Sequence, residues 1–174
     1  MISESLLNSI RTVDNFPKPG VSFKDLTPVY QNSNLCSEIV NSIANHFSEI
    51  GVQAVVGIES RGFIFGAAVA FKMGLPFIPV RKKGKLPFAA FSQEYELEYG
   101  VDVLEMHIDA FPTGAKILVH DDVLATGGTA NAVKELVKQA GGEVLGYSFI
   151  LELAFLNGRE RLGNSNIQSL IVYN

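Results

Sequence analysis

Apolar residues recur along this chain in two rhythms. Leu35, Ile39, Ile43 and Phe47 fall every fourth residue, the spacing that places side chains on one helical face, and Gly51 follows as a stop. "VQAVVGI" (52–58) is β-branched and almost wholly apolar, as expected of a strand buried on both faces. "FIFGAAVAFKMG" (63–74) predicts a buried helix closed by a glycine, and "LPFIPVR" (75–81) and "KILVH" (116–120) predict two further strands. "ANAVKELVKQAGG" (130–142) is amphipathic through Val133, Leu136, Val137 and Ala140, and paired glycines end it. "VLGYSFILEL" (144–153) and "IQSLIVY" (167–173) complete the set. Strands separated by helix-length segments predict βαβ units: an α/β fold with an open, mostly parallel twisted sheet and helices on both faces. No linker, repeat or low-complexity tract divides the chain, so residues 1–174 form a single predicted domain.

Composition narrows the class. With 174 residues, 47% of them hydrophobic and 18% charged, the chain is not of the disordered type and has material for its own core. Its one cysteine, Cys36, cannot form an internal disulfide, which favours a reducing compartment. No stretch approaches the ~18 apolar residues that span a bilayer, and the N-terminus lacks the basic-then-apolar order of a signal peptide. A cytoplasmic protein without a membrane partner is expected. A net charge of −4 argues against nucleic-acid binding, although "RKKGK" (81–85) breaks that balance locally. His46 and His107 have no second ligand at metal spacing, so a zinc site is not expected.

The chemistry concentrates in "ILVHDDVLATGGTA" (117–130). In an open α/β sheet ligands sit beyond the carboxyl ends of the strands, and Asp121 and Asp122 are predicted there, where "KILVH" ends. Ala125, Thr126, Gly127, Gly128 and Thr129 then form a tight turn into a helix. Glycines allow close backbone approach, the helix N-terminus favours an anion, and the two threonine hydroxyls add donors, so a phosphate fits. The two acids would repel a phosphate and must face something cationic or rich in hydroxyls, such as a sugar diol or magnesium. Taken alone, Gly-Gly before a helix is equally an ordinary turn with an N-cap. Neither G-x-x-x-x-G-K-[ST] nor a strand followed by G-x-G-x-x-G is present, which leaves P-loop and dinucleotide folds unsupported.

A strand, Asp-Asp, two apolar residues and A-T-G-G-T together resemble the phosphoribosyl-pyrophosphate signature of the type I phosphoribosyltransferases. "FPKPGVSFKDLTP" (16–28), "GIESRGFIFG" (57–66), "PVRKKGKLP" (79–87) and "YELEYG" (95–100), in that order, extend the resemblance over nearly the entire chain to the adenine phosphoribosyltransferase family. It implies a small N-terminal hood over about residues 1–33, an α/β core over 34–174 and a flexible catalytic loop. It also implies a role in purine salvage: transfer of the 5-phosphoribosyl group of phosphoribosyl pyrophosphate to N9 of adenine, with Mg2+ held mainly by substrate, in a homodimer.

By the same resemblance Asp121 and Asp122 hold the ribose hydroxyls, and Ala125 to Thr129 wrap the 5′-phosphate. Ser60, Arg61, Arg81, Lys82, Lys85 and Tyr99 serve the pyrophosphate, Arg81 and Lys82 by reaching a neighbouring subunit's site. Glu98 is the acid/base residue. Phe23 stacks on adenine, the backbone of Ser22 and Lys24 reads its edge, and Val123 covers the other face. The Glu59–Ser60 peptide falls where the family carries a non-proline bond that is sometimes cis.

Bland readings stand beside several of these. Arg61 is otherwise a surface arginine, the 81–85 run a solvated loop, and Phe23 ordinary core. Residues 84–99 make a lid by length and composition, yet "YELEYGVDVLEMH" also alternates like a hairpin with Glu96 and Glu98 on a solvated face. Ser22 and Lys24 stand where the family prefers an apolar residue and arginine. His120 stands where it prefers an apolar residue or Asp. "ELAFLNGRERLG" offers no lysine placed as in 6-oxopurine transferases, which weakens the reading as a transferase for another purine base. A non-catalytic sensor of phosphoribosyl pyrophosphate is the other alternative, but such regulators carry an added basic domain.

Overall fold

The computed structural model describes residues 2–96 and 100–174. Helix α1 (Ile2–Ser9) leads into the hairpin β1 (Arg11–Asp14) and β2 (Ser22–Asp25) and the one-turn helix α2 (Thr27–Tyr30). Helix α3 (Ser33–Phe47) starts where the Asn32 side chain accepts the Leu35 N–H at 3.1 Å, an N-cap that satisfies one orphan donor. Its predicted stripe of Leu35, Ile39, Ile43 and Phe47 is fully buried.

Strand β3 (Ala54–Ile58), helix α4 (Gly62–Met73) and strand β4 (Phe77–Lys82) form the first crossover, and β5 (Ala90–Glu96) with β6 (Val101–His107) make an antiparallel hairpin. Then come β7 (Lys116–Leu124), α5 (Gly128–Gln139), β8 (Glu143–Leu153), a 3-10 turn (Ala154–Leu156), the short α6 (Gly158–Leu162) and β9 (Asn166–Tyr173). The main sheet has the order β5-β6-β4-β3-β7-β8-β9. The five strands read from apolar runs are its parallel part, and the hairpin pairs antiparallel with the end of β4.

Continuous apolar strands follow from two covered faces. Val55, Leu118 and Ile150 pack with α1, α3 and α4, whereas Val56, Val119 and Phe149 pack with α5. Successive residues point to opposite faces, so a strand sandwiched between helix layers must be apolar at every position.

Three expectations change. β7 does not end at His120 but continues through both aspartates to Leu124, because the eleven-residue β8 keeps pairing with it, Asp121 to Phe149 and Leu124 to Glu152. Helix α4 is not wholly buried: Ile64 is 49% and Phe71 76% exposed, since only one of its faces meets the sheet. Of the 84–99 stretch read as a lid, residues 90–96 form β5, paired along its length with β6, so the hairpin reading describes that part.

Candidate active site

At the carboxyl end of β7 the chain places two adjacent carboxylates under the start of α4. Gly62 makes the approach possible: a Cβ there would lie 2.9 Å from the His120 carbonyl oxygen and 3.0 Å from Asp121 Oδ1. Asp121 Oδ1 accepts the Asp122 N–H at 2.9 Å. Burial and the neighbouring Asp122 charge push the Asp121 carboxyl well above its ordinary range. Burial also raises Asp122, against the pull of Arg61. Asp122 is only 2% exposed. Arg61 Nε stands 2.8 Å from its Oδ2, yet that oxygen receives no aligned hydrogen bond, so a buried acceptor keeps capacity for a donor.

Beneath the pair, His120 is fully buried, and its Nδ1 lies 2.8 Å from Ser148 Oγ. Burial drives its pKa down to about 3, so the ring is neutral and adds no charge behind the acids.

The phosphate-type loop follows directly. Gly127 takes φ +77° and caps α5, whose first bond within the helix runs from the Asn131 N–H to the Gly127 oxygen at 2.9 Å. The N–H groups of the first turn therefore have no acceptor in the helix and aim outward with the positive end of its dipole. Ala125, Thr126, Gly127 and Thr129 line a small hollow of about 60 Å³, with Val123 and Asp121 on its wall.

Beside it, an open cleft of about 340 Å³ is lined by Ser60, Arg61, Lys82, Tyr95, Asp121 and Asp122, among others. A larger groove of about 480 Å³ lies between α3 and α4, but its lining is mostly apolar and gathers no such acids and donors. The site is assigned to the smaller cleft on chemistry.

The comparisons with known proteins decide the family. A phosphoribosyl transferase domain model matches residues 26–162. This chain belongs to the phosphoribosyltransferase family. An adenine phosphoribosyltransferase of Cytophaga hutchinsonii is 45% identical over 175 residues, covering 99% of this chain and 97% of the relative. The crystal structure of the adenine phosphoribosyltransferase of Thermoanaerobacter pseudethanolicus superposes with a TM-score of 0.95 at 43% identity, covering 98% of this chain and 99% of that one. The Saccharomyces cerevisiae enzyme, solved with adenine and an imino-altritol bisphosphate, superposes at 0.93 with 39% identity and 98% coverage of both chains.

This phosphoribosyltransferase distributes the remaining predicted residues unevenly. Arg61 is not a free surface arginine: it also lies 5.4 Å from the centroid of the Phe23 ring and so joins the β1–β2 hairpin to Asp122. The Glu59–Ser60 peptide is cis. Arg81 forks onto Glu59, with Nε 3.2 Å from Oε2 and Nη2 3.3 Å from Oε1. Burial works against the Glu59 charge, but the Lys82 N–H and Arg81 outweigh it and hold that carboxyl below its usual range. Lys82 lines this chain's own cleft and pairs with Asp102 at 3.1 Å, whereas Lys85 is exposed and its carbonyl accepts from Arg81.

On the hairpin, Ser22 Oγ donates to Asp14 and Lys24 Nζ to Thr12, each at 3.0 Å. Glu98 and Tyr99 lie outside the described residues. Tyr95, which the sequence marked only as part of a lid motif, lines the cleft. Its hydroxyl donates to Asp102 at 3.4 Å, and Thr129 lines the same cleft beside it. The alternation of β5 was the available signal, since it sets Tyr95 on the same face as Phe91, the face packed on the α5 core.

Proposed function

We propose that this chain transfers the 5-phosphoribosyl group of phosphoribosyl pyrophosphate to N9 of adenine, yielding AMP and pyrophosphate in purine salvage. One observation carries the reading: a buried, under-used acceptor on Asp122 stands beside Asp121 and next to a backbone-lined helix entrance. A ribose 5-phosphate is diol at one edge and phosphate at the other, and matches both.

In this mechanism Asp121 and Asp122 accept the ribose 2′- and 3′-hydroxyls, which replace Arg61 at Asp122. Arg61, released, turns with Ser60, Lys82, Arg81 and Lys85 toward the pyrophosphate. The N–H groups of 125–129 hold the 5′-phosphate. As the bond to pyrophosphate breaks, positive charge grows on the sugar, and the two carboxylates favour that cation more than the neutral ground state. Phe23 stacks on the base and Val123 covers its other face. The backbone of Ser22 and Lys24 pairs an N–H with N1 and a C=O with the 6-amino group, a pattern that hypoxanthine reverses. Glu98 serves the imidazole proton and Tyr99 the pyrophosphate side.

Magnesium suits the donor chemistry. Asp121 and Asp122 are hard oxygen donors, and among the described residues no group of three or more His, Cys, Asp or Glu forms a cage. In this proposal the ion would be held chiefly by pyrophosphate and sugar oxygens and would neutralise the leaving group. A homodimer and a cytoplasmic location complete the proposal. No described helix is long and apolar enough to cross a membrane, and Cys36 has no second cysteine to pair with in this chain.

The purified protein supplied with phosphoribosyl pyrophosphate, magnesium and either adenine or hypoxanthine tests this. AMP formation with adenine and little reaction with hypoxanthine is expected. Binding of phosphoribosyl pyrophosphate without turnover would replace the enzyme by a sensor.

A further inference from the structure

The segment that ends β8 and carries α6, "ELAFLNGRERLG" (152–163), has no part in the chemistry above, yet it packs against the outside of the phosphate loop. Glu152 is 4% exposed and pairs across the sheet with Leu124, the residue that enters the loop. Arg159 of α6 forks onto it, with Nε 2.7 Å from Oε1 and Nη2 2.8 Å from Oε2. Ser169 Oγ of β9 donates to the same Oε2 at 2.6 Å, and Arg159 also donates to Ser169 Oγ at 3.3 Å and to the Ile167 carbonyl at 3.4 Å. A buried carboxylate with this many charge-assisted donors has a sharply defined position. Burial alone would raise its pKa, but Arg159 and Ser169 hold it below the usual range.

What the fork positions is the neighbouring Gly158. Its backbone touches the loop so closely that a Cβ there would collide with the Ala125 carbonyl and come within 3.1 Å of the Gly127 nitrogen. Reciprocally, a Cβ on Gly127 would lie 2.5 Å from the Gly158 oxygen. The contacts close a ring: Leu124 to Glu152 through the sheet, Glu152 to Arg159 through the ion pair, and Gly158 back onto Ala125 and Gly127.

We propose that Glu152 and Arg159 are positioning residues that clamp Gly158 against the phosphate loop and thereby set its affinity for the 5′-phosphate. The inference rests on the phosphate role assigned above to residues 125–129. It predicts an effect on phosphate-bearing ligands that spares free adenine.

Arg159→Lys keeps the charge and loses the fork, and Ser169→Ala removes one donor to Glu152 while leaving the ion pair. Calorimetric Kd values for AMP and adenine, KM for phosphoribosyl pyrophosphate, kcat and the melting temperature are measured for both. For Arg159→Lys, KM for phosphoribosyl pyrophosphate and Kd for AMP rise roughly tenfold, with kcat and the adenine Kd within about twofold. Ser169→Ala moves the same two constants in the same direction by about threefold, which keeps the test decisive if the arginine variant fails to fold. A folded Arg159→Lys with unchanged AMP affinity overturns the clamp. So does a parallel rise in the adenine Kd, which would mark a general loss of structure. Wild-type protein that does not bind AMP overturns the phosphate reading itself, and the clamp with it.

Discussion

The β1–β2 hairpin and the 125–129 loop, proposed above to hold the base and the 5′-phosphate, are built on opposite principles. The hairpin is held by local, largely exposed pairs: Ser22 with Asp14, Lys24 with Thr12, and Arg11 with Asp25 at 3.3 Å. Exposed contacts of this kind contribute about 1 kcal/mol or less each. Phe23 meets Phe16 edge-on at 5.2 Å and Arg61 on its ring. The loop grips with backbone instead. It is wedged between strand pairing, a helix entrance and the Gly158 contact, and buried Glu152, forked by the half-exposed Arg159, stands behind it. In the proposed reaction the 5′-phosphate passes unchanged from phosphoribosyl pyrophosphate to AMP, so a preorganised cradle suits it. A planar base must enter and leave between side chains, and locally held residues suit that.

The most damaging change to the rigid side should be Gly127→Ala. The new methyl meets the Gly158 oxygen at a residue with φ +77°, so the loop must move. Initial rates should show KM for phosphoribosyl pyrophosphate raised about a hundredfold, and melting should show about 2 kcal/mol of lost stability.

Asp122→Asn keeps the shape and removes the charge. Turnover should fall about tenfold or more with the circular dichroism spectrum intact, and an unchanged kcat would remove the carboxylate from the transition state.

On the other side, Phe23→Ala should raise KM for adenine about fivefold to tenfold, the size of a lost base–aromatic stack. KM for phosphoribosyl pyrophosphate should stay within about twofold. Should both constants climb together, the two regions are not separable.

The smallest effect at neutral pH concerns His120, under the acids. Its pKa is about 3 in the fold against 6.5 for the free side chain, so the unfolded chain takes up the proton first on acidification. Its stabilising contribution is complete above pH 6.5 and declines as pH falls toward 3. By pH 5 the loss amounts to about 2 kcal/mol. Asp121 and Asp122, with raised values, act in the opposite sense. The difference between urea-unfolding curves of wild type and His120→Val isolates the histidine: it should be flat above pH 7 and tilt against wild type below 6.

Hydrophobic rhythm made most elements legible. Leu35 to Phe47, "VQAVVGI" and "ANAVKELVKQAGG" each carry a period or a continuous run that one kind of element satisfies. Element ends were less legible. That β7 runs past Asp121 depends on β8 being long enough to pair with it, and no local pattern in "HDDVL" encodes a partner's length. The acids and the glycine loop were readable because they are contiguous, with every member within ten residues of the next. Tyr95, Glu152 and Arg159 were not, because their roles come from contacts with Thr129, Ser169 and the backbone at Gly158, far away in the chain or silent as side chains.

The amino-acid sequence by itself determined the α/β layering and the presence of an anion-ready turn beside two acids, since both are short-range consequences of periodicity and residue type. Only the tertiary structure decided what stands against that turn and which oxygen of Asp122 remains short of a donor. Those depend on the packing of β8, α6 and α4 around β7, and close packing is a property of distances between segments that no single segment contains.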